Sequence, residues 1–283
     1  MAFDPQRLRE WDFGEQRQTY DFRDAILYAL GVGLPIEEGE SDDLNFLLED
    51  RLRVLPAFAV TLATPGMWPK IPALEVDWVK VLHMAHAARF HAPLPADASV
   101  VSRAAITELY DRGADKGAVC ILQRQVRDAA DGTLYCTIDQ TVALRGDGGF
   151  GGELLPRAVR PEMPARAADL QRSVRTSHRA ALIYRLSGDY NPLHAHYDVA
   201  RKAGYDRPIL HGLASYGTAC AVVLQAFCGG DPARMKSLNL RFSGVVMPGD
   251  RLDFACWKEG GRVLFEAKVG DRTVMDQGVA DIA

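Results

Sequence analysis

Cysteine is scarce and scattered in this 283-residue chain: Cys120, Cys136, Cys220, Cys228 and Cys256, an odd number with no CxxC spacing. That argues against a disulfide framework and against a cysteine metal site, and it predicts free thiols in a reducing compartment. Net charge is nearly absent too. Lys and Arg number 33 against 37 Asp and Glu, a formal −4, so nothing points to nucleic acid or an anionic membrane as a bulk partner. A few local Arg or Lys side chains would still suffice for a phosphate-bearing small ligand. No stretch approaches the ~20 apolar residues of a membrane span. The opening MAFDPQRLREWDFG lacks the apolar core of a signal peptide, and the closing ADIA is not a peroxisomal address. A cytoplasmic location is expected. What is present, 48% hydrophobic and 25% charged residues, is ordinary globular composition, with chain enough for two modest domains or one large fold.

A seam lies near the midpoint. FGGELLPRAVRPEMPARAA, Phe150 to Ala168, is dense in Gly, Pro and Arg and has no hydrophobic period, which is linker composition. The chain is therefore divided into residues 1–150, a linker at 151–168, and residues 169–283. The flanking halves repeat one another. YDFRDAILYALGVGLP predicts a helix from Arg23 to Leu30 ending in glycines, SHRAALIYRLSGDYNP predicts another ending at Ser187-Gly188, and Tyr28 aligns with Tyr184. RFHAPLPADASVVSRAAITEL, from Arg89, matches RFSGVVMPGDRLDFACWKEGG, from Arg241, in its Arg-Phe, its Pro, its Asp and the alternating strand that follows.

Two further alternating segments come next in each half: GAVCILQRQVRD and TLYCTIDQTVAL, then GRVLFEAKVG and RTVMDQGVADI. Period two means half-buried strands, and the Asp-Gly and Gly-Gly pairs between them mean hairpins. In the second half HGLASYGTACAVVLQAF, His211 to Phe227, is small and apolar almost all round, the pattern of a helix buried on most faces. Its counterpart LPAFAVTLATPG is shorter and stopped by Pro65, which predicts spare room beneath the first-half sheet. A helix embedded in an antiparallel sheet, twice over, is an α+β double hot dog.

The chemistry gathers in YRLSGDYNPLHAHYD, Tyr184 to Asp198. Asp189 and His194 stand five residues apart around Asn191-Pro192. Asp-x-Asn-Pro by itself also makes a plain turn. The sequel sharpens the reading: RPILHG enters the buried helix at Gly212. A helix N-terminus offers unpaired N–H groups and partial positive charge, and a glycine there lets a ligand carbonyl approach the backbone. An acid, a base and an oxyanion donor form a proton-transfer site beside a carbonyl that must carry negative charge. His91, His178 and His196 have no carboxylate at ligand spacing and read as solvated or turn residues, so no metal is expected. His211 reads as structural or capping, and Cys220 as a buried small hydrophobe. WPKIPALEVDW reads as a lid, core or an interface.

LSGDYNPLH followed by RPILHG resembles the hydratase motif of the MaoC-like, R-specific enoyl-CoA hydratases, the hydratase 2 family. RDAILYALGVG, DDLNFLLE, LPAFAV, VKVLH, PLP, TVALRGDGGFGG, RFSGVVMPG and WKEG are similar to that family's eukaryotic, peroxisomal-type double hot dog, over most of the chain. The resemblance implies reversible addition of water to a trans-2-enoyl-CoA, giving a (3R)-3-hydroxyacyl-CoA, with no metal or redox cofactor. Carried onto this chain, Asp189 and His194 hold the water, Asn191 orients it or the Asp, and the Gly212 N–H donates to the thioester oxygen. Tyr190, Pro192 and Leu193 of the same turn, with His83, Met84, Arg112 and Phe242, would contact substrate, Arg112 as a partner for a CoA phosphate.

Where the second half has Asp189 and His194, the first has Val32-Gly33-Leu34-Pro35. One active site per chain is expected, with the first half binding acyl chain and CoA, and a homodimer as the assembly. The family continues its VLH with Gly-Glu-Gln, and this chain has Met84-Ala85-His86, a departure that bears on acyl length and CoA docking. Other readings stay open: a dehydratase of acyl-carrier-protein thioesters or of branched or steroid side-chain CoA esters, an acyl-CoA thioesterase, and a non-catalytic acyl-CoA-binding subunit. HGLASYGTACAVVLQAF carries no Asp or Glu, which disfavours the thioesterase, and the intact Asp189/His194 pair disfavours the binding subunit.

Overall fold

The computed structural model describes residues 3–36, 41–153, 155–156 and 160–283, so the linker expected at 151–168 lies partly outside the described residues. Ten strands carry the fold: β1 (Glu15–Tyr20), β2 (Val81–Phe90), β3 (Ala98–Asp111), β4 (Ala118–Asp128), β5 (Leu134–Leu144), β6 (Leu170–Arg175), β7 (Ser237–Phe242), β8 (Arg251–Glu259), β9 (Arg262–Val269) and β10 (Arg272–Asp281). They form one sheet in the order β1-β3-β4-β5-β2-β7-β10-β9-β8-β6. The second half is thus the first in reverse, joined at β2–β7. Ala85 pairs with Arg241 and Arg89 with Ser237. Each half's Arg-Phe arginine lies opposite the residue four before the other's, the register that a two-fold relation between the repeats requires.

The alternating segments are strands, as their period demands. Four strands escaped that reading: EQRQTY (β1), LQRSVR (β6), VLHMAHAARF (β2) and SLNLRF (β7). β1 and β6 sit at the outer edges of the sheet, where charged side chains discourage edge-to-edge pairing and leave a weak apolar period; β2 and β7 pair with each other in its middle.

Among the described residues, five α-helices accompany the sheet: α1 (Pro5–Arg9), α2 (Phe22–Gly31), α3 (Ala180–Tyr184), α4 (Tyr197–Lys202) and α5 (Gly212–Cys228). A capping box starts α2, the Asp21 carboxylate accepting from the Arg23 N–H and Asp24 accepting from the Asp21 N–H. Residues Ala214 to Leu224 of α5 are buried on every side, and α5 ends at Gly229 in the left-handed region. Gly217 lets α2 close on α5: a Cβ there would lie 2.4 Å from Val32 Cγ1 and 2.6 Å from the Tyr28 hydroxyl. The aligned tyrosines meet, with Tyr28 and Tyr184 ring centroids 5.9 Å apart. No helix among the described residues is long and apolar enough to cross a membrane.

The first-half counterpart of α5 is a 3-10 segment, Pro56–Thr61, and the room expected beneath that sheet is filled. All six of its residues are buried, and Arg124, buried beneath β4, donates to the carbonyls of Val60 (2.5 Å) and Leu62 (2.7 Å). Burial pushes that guanidinium down to about 10. A hollow of about 10 Å³ beside Pro56, Ala59, Phe90, Leu94 and Tyr135 has room for one water. WPKIPALEVDW is part core and part surface. Trp68, Leu74 and Val76 are buried, while Trp78 lies outside under the Lys70 ammonium, 4.4 Å from its ring.

Candidate active site

The turn that carries the acid and the imidazole is built by its own side chains. Gly188, at φ +109, takes the chain out of the 3-10 turn that follows α3. The Asp189 carboxylate accepts from the Asn191 N–H (3.1 Å), and the Asn191 side chain accepts from the Leu193 N–H (3.2 Å). Pro192 then opens a 3-10 turn ending at His194. The plain-turn reading holds: these side-chain bonds fix the turn that carries Asp189 and His194. His194 is buried, and its Nδ1–H donates to the Ile209 carbonyl at 2.9 Å. That bond fixes the tautomer and leaves Nε2 with a bare lone pair. Burial pushes the His194 imidazole below its usual range, against the raising influences of the Ile209 bond and the Asp189 charge.

His211 completes the group, and a capping role is not what it performs. It precedes α5 but makes no side-chain cap bond. Its Nε2–H donates to the Asp189 carbonyl at 3.1 Å, and its ring stacks on His194, centroids 3.7 Å apart at 28°. One atom each of the Asp189 carboxylate, His194 and His211 lie within 4.8 Å of one another. Two hydrogen bonds of about 2.8 Å meeting near the tetrahedral angle span about 4.6 Å, so an acceptor pair at this separation can share one water. The same three side chains could also face a metal ion, since each histidine commits one ring nitrogen to a main-chain carbonyl and keeps the other free, as metal-binding histidines do. Nothing in the sequence marked His211 except its place beside Gly212.

Gly212 is the first residue of α5, so its N–H has no acceptor within the helix. It faces the first half through Phe242: a Cβ on Gly212 would lie 3.3 Å from the Phe242 ring, and Phe242 packs edge-on against His83 at 5.0 Å. Burial lowers His83 to about 4, opposed by its Ala85 carbonyl bond and the charge of Asp189. His86, behind it, has Nδ1 3.3 Å from His83 Nε2 and its ring against Tyr216. Met84 sits where the β2–β5 register slips between His83 and Ala85. It is the extra residue of a β-bulge, a device that re-aims a side chain.

The fold therefore gathers Asp189, Asn191, His194, Gly212, Phe242 and His83, with Met84 adjoining. Pro192 and Leu193 form the half-buried wall of the turn. Tyr190 turns outward, 59% exposed, under the Arg185 guanidinium. Arg112 is exposed in the β3–β4 hairpin. It shares the His83 end of the sheet, because Ala118 pairs with Leu144 and Leu144 with Val81, but it stands apart from the buried group. Beside it the Asp111 carboxylate pins the glycine-rich loop, accepting from the N–H groups of Gly113, Gly149 and Gly151.

The chain is similar to known proteins over most of its length. Residues 160–279 match the MaoC like domain, and residues 18–146 match the MFE-2 hydratase 2 N-terminal domain. The peroxisomal enoyl-CoA hydratase 2 of Arabidopsis thaliana is 36% identical over 274 residues, covering 91% of this chain and 88% of that one. The 3-hydroxyacyl-thioester dehydratase Y of Mycobacterium tuberculosis is 35% identical over 271 residues, covering 92% and 91%. A crystal structure of a MaoC-like dehydratase from Phytophthora capsici superposes with a TM-score of 0.85 at 30% identity, covering 99% of each chain.

Proposed function

Because the chain belongs to the MaoC-like, hydratase 2 family of hydro-lyases, we propose that it adds water reversibly to a trans-2-enoyl-CoA at Asp189 and His194, giving a (3R)-3-hydroxyacyl-CoA. The observation that carries the reading is the placement of a carboxylate and a tautomer-fixed, neutral imidazole within 4.8 Å of one another at the N-terminus of α5. Water sits between the Asp189 carboxylate and His194 Nε2. The bare Nε2 lone pair removes one water proton as the oxygen bonds to C3, and the C2–C3 π electrons move into the thioester as an enolate. The Gly212 N–H donates to that oxygen, an interaction typically worth about 3 kcal/mol in the transition state. The Nε2–H then returns its proton to C2, so the water is added whole and the imidazole ends neutral. Asp189 steadies the transient imidazolium by its charge, and Phe242 and His83 wall the enoyl group. Residues 1–150 supply the acyl and CoA contacts, Met84 and Arg112 among them.

Loss of absorbance at the enoyl thioester band with crotonyl-CoA tests the reaction. Asp189→Asn and His194→Gln should each lower turnover by about 10² to 10⁴ while the fold persists, and near-normal turnover in either overturns the assignment. Chiral analysis of the product tests the R configuration. The relative named as a hydroxyacyl-thioester dehydratase runs the same bond change in reverse, so the carrier is a separate question. If Arg112 holds a CoA phosphate, Arg112→Ala should raise KM for crotonyl-CoA and leave KM for crotonyl-pantetheine unchanged. Cytoplasmic location and homodimeric assembly belong to the same proposal. Five buried free thiols support a reducing compartment; imaging of the tagged chain and light scattering test the two.

A further inference from the structure

We propose that His211 is a positioning residue for the water-adding pair: its Nε2–H holds the main chain of Asp189 while its ring face sets the plane of His194. This rests on the function proposed above. His211 is 1% exposed, and two separate contacts tie it to the two residues that share the water. The first is the Nε2–H bond to the Asp189 carbonyl at 3.1 Å. The second is the stack on His194 at 3.7 Å. The Tyr184 ring also lies against it, centroids 4.9 Å apart.

The choice of imidazole is chemically wasteful unless both contacts matter. With its hydrogen on Nε2, His211 must carry a bare lone pair at Nδ1, and that atom is buried without a partner. A glutamine would make the carbonyl bond without a stacking ring. A phenylalanine would stack without a donor and without an orphaned lone pair. A histidine does both within one small ring, and the unsatisfied Nδ1 accompanies that combination.

The groups facing His211 keep it neutral. Burial is the main cause, with His194 beside it and the Arg185 guanidinium acting the same way and the Asp189 carbonyl bond opposing, and they hold it down at about 3. His194 is therefore the imidazole of this stack that changes charge during turnover. A dry, neutral ring on its face also keeps water off it, which contributes to its lowered protonation range.

Two conservative substitutions separate the two contacts. kcat and KM for crotonyl-CoA are measured from about pH 5 to 9 and expressed per folded molecule, the folded fraction being read from near-UV circular dichroism. His211→Phe keeps the ring and frees Asp189. We expect kcat to fall about 10- to 100-fold, the scale of a small misplacement of reacting groups, with KM within about threefold and the acid limb of the profile unmoved. His211→Gln keeps the bond and removes the ring. Water then reaches His194, its protonation rises toward the ordinary imidazole value of about 6.5, and the acid limb moves to higher pH. Retention of kcat within about twofold in both variants, or a fall that vanishes once scaled to folded protein with an unmoved limb in His211→Gln, overturns the inference. Asp189→Asn and His194→Gln run alongside. Normal turnover in those would overturn the proposed function itself, whereas their inactivity beside fully active His211 variants would overturn only the role given to His211.

Discussion

Histidine burial gives this protein an acid sensitivity that its composition does not advertise. His83 is held at about 4 and His211 at about 3, both chiefly by burial, while in the unfolded chain each would titrate near about 6.5. Folded values below unfolded ones mean that the unfolded chain binds more protons between those limits. The stability is complete above about pH 6.5 and is lost as pH falls toward about 4 and then about 3. The urea midpoint should therefore be lower at pH 5 than at pH 7.5, a window above the range where the lowered carboxylates titrate. An equal midpoint would contradict the burial of these rings. The thiols make the complementary prediction. Burial pushes Cys120, Cys136, Cys220 and Cys256 up to about 12 and Cys228 up to about 11. All five should resist a disulfide thiol reagent at pH 8 until the chain is denatured. Reaction of any one in the native protein would show it to be accessible.

Among the elements, α5 and the β2 bulge are the places where one atom decides most. Gly217 lies where α5 touches Val32 and the Tyr28 hydroxyl, with no room for a Cβ. Gly217→Ala should overpack that contact at a cost of about 1–3 kcal/mol. The expected reading is a fall of several degrees in Tm; an unchanged Tm would mean that α2 and α5 are free to part. Met84 belongs to the bulge beside His83, so Met84→Gly changes the wall of the site without unpairing a strand. Specificity constants across enoyl-CoA chains of four to sixteen carbons should shift their optimum, and an unaltered profile would mean that this bulge faces away from the acyl chain. The short 3-10 segment and Arg124 show why sequence overstated the space in this half. The missing helix is legible in LPAFAVTLATPG, but the arginine that fills the gap sits on β4, more than sixty residues later.

The two repeats share a core. Buried residues from both halves, from Tyr20 to Ile282, form the larger of two hydrophobic clusters, the smaller lying in the first half alone, and β2 pairs with β7 through the middle of the sheet. Unfolding should therefore be a single cooperative transition by circular dichroism and fluorescence alike. Residues 169–283 expressed alone should lack hydratase activity, since they would bare the β7 edge and the face of α5 that Val32 and Tyr28 cover. Two resolved transitions, or an active isolated half, would show the repeats to be independent domains.

The sequence by itself determined the parts whose causes are local. Period two wrote most of the strands, apolar residues all round wrote α5, and Asp-x-Asn-Pro wrote the turn that aims Asp189 and His194. A glycine at the head of a buried helix wrote the free N–H of Gly212. The repeat itself was legible because Arg-Phe, Pro and Asp recur in order. Tertiary structure alone decided what meets across the seam. His83 and Phe242 reach the Asp189 turn only through the β2–β7 register, and His211 reaches His194 only because the chain doubles back after Ile209. Arg112 stayed at the rim and Met84 became a bulge for the same reason. These outcomes depend on pairing between residues far apart in the chain, and a pattern confined to a few neighbouring residues carries no record of what will lie across the sheet from them.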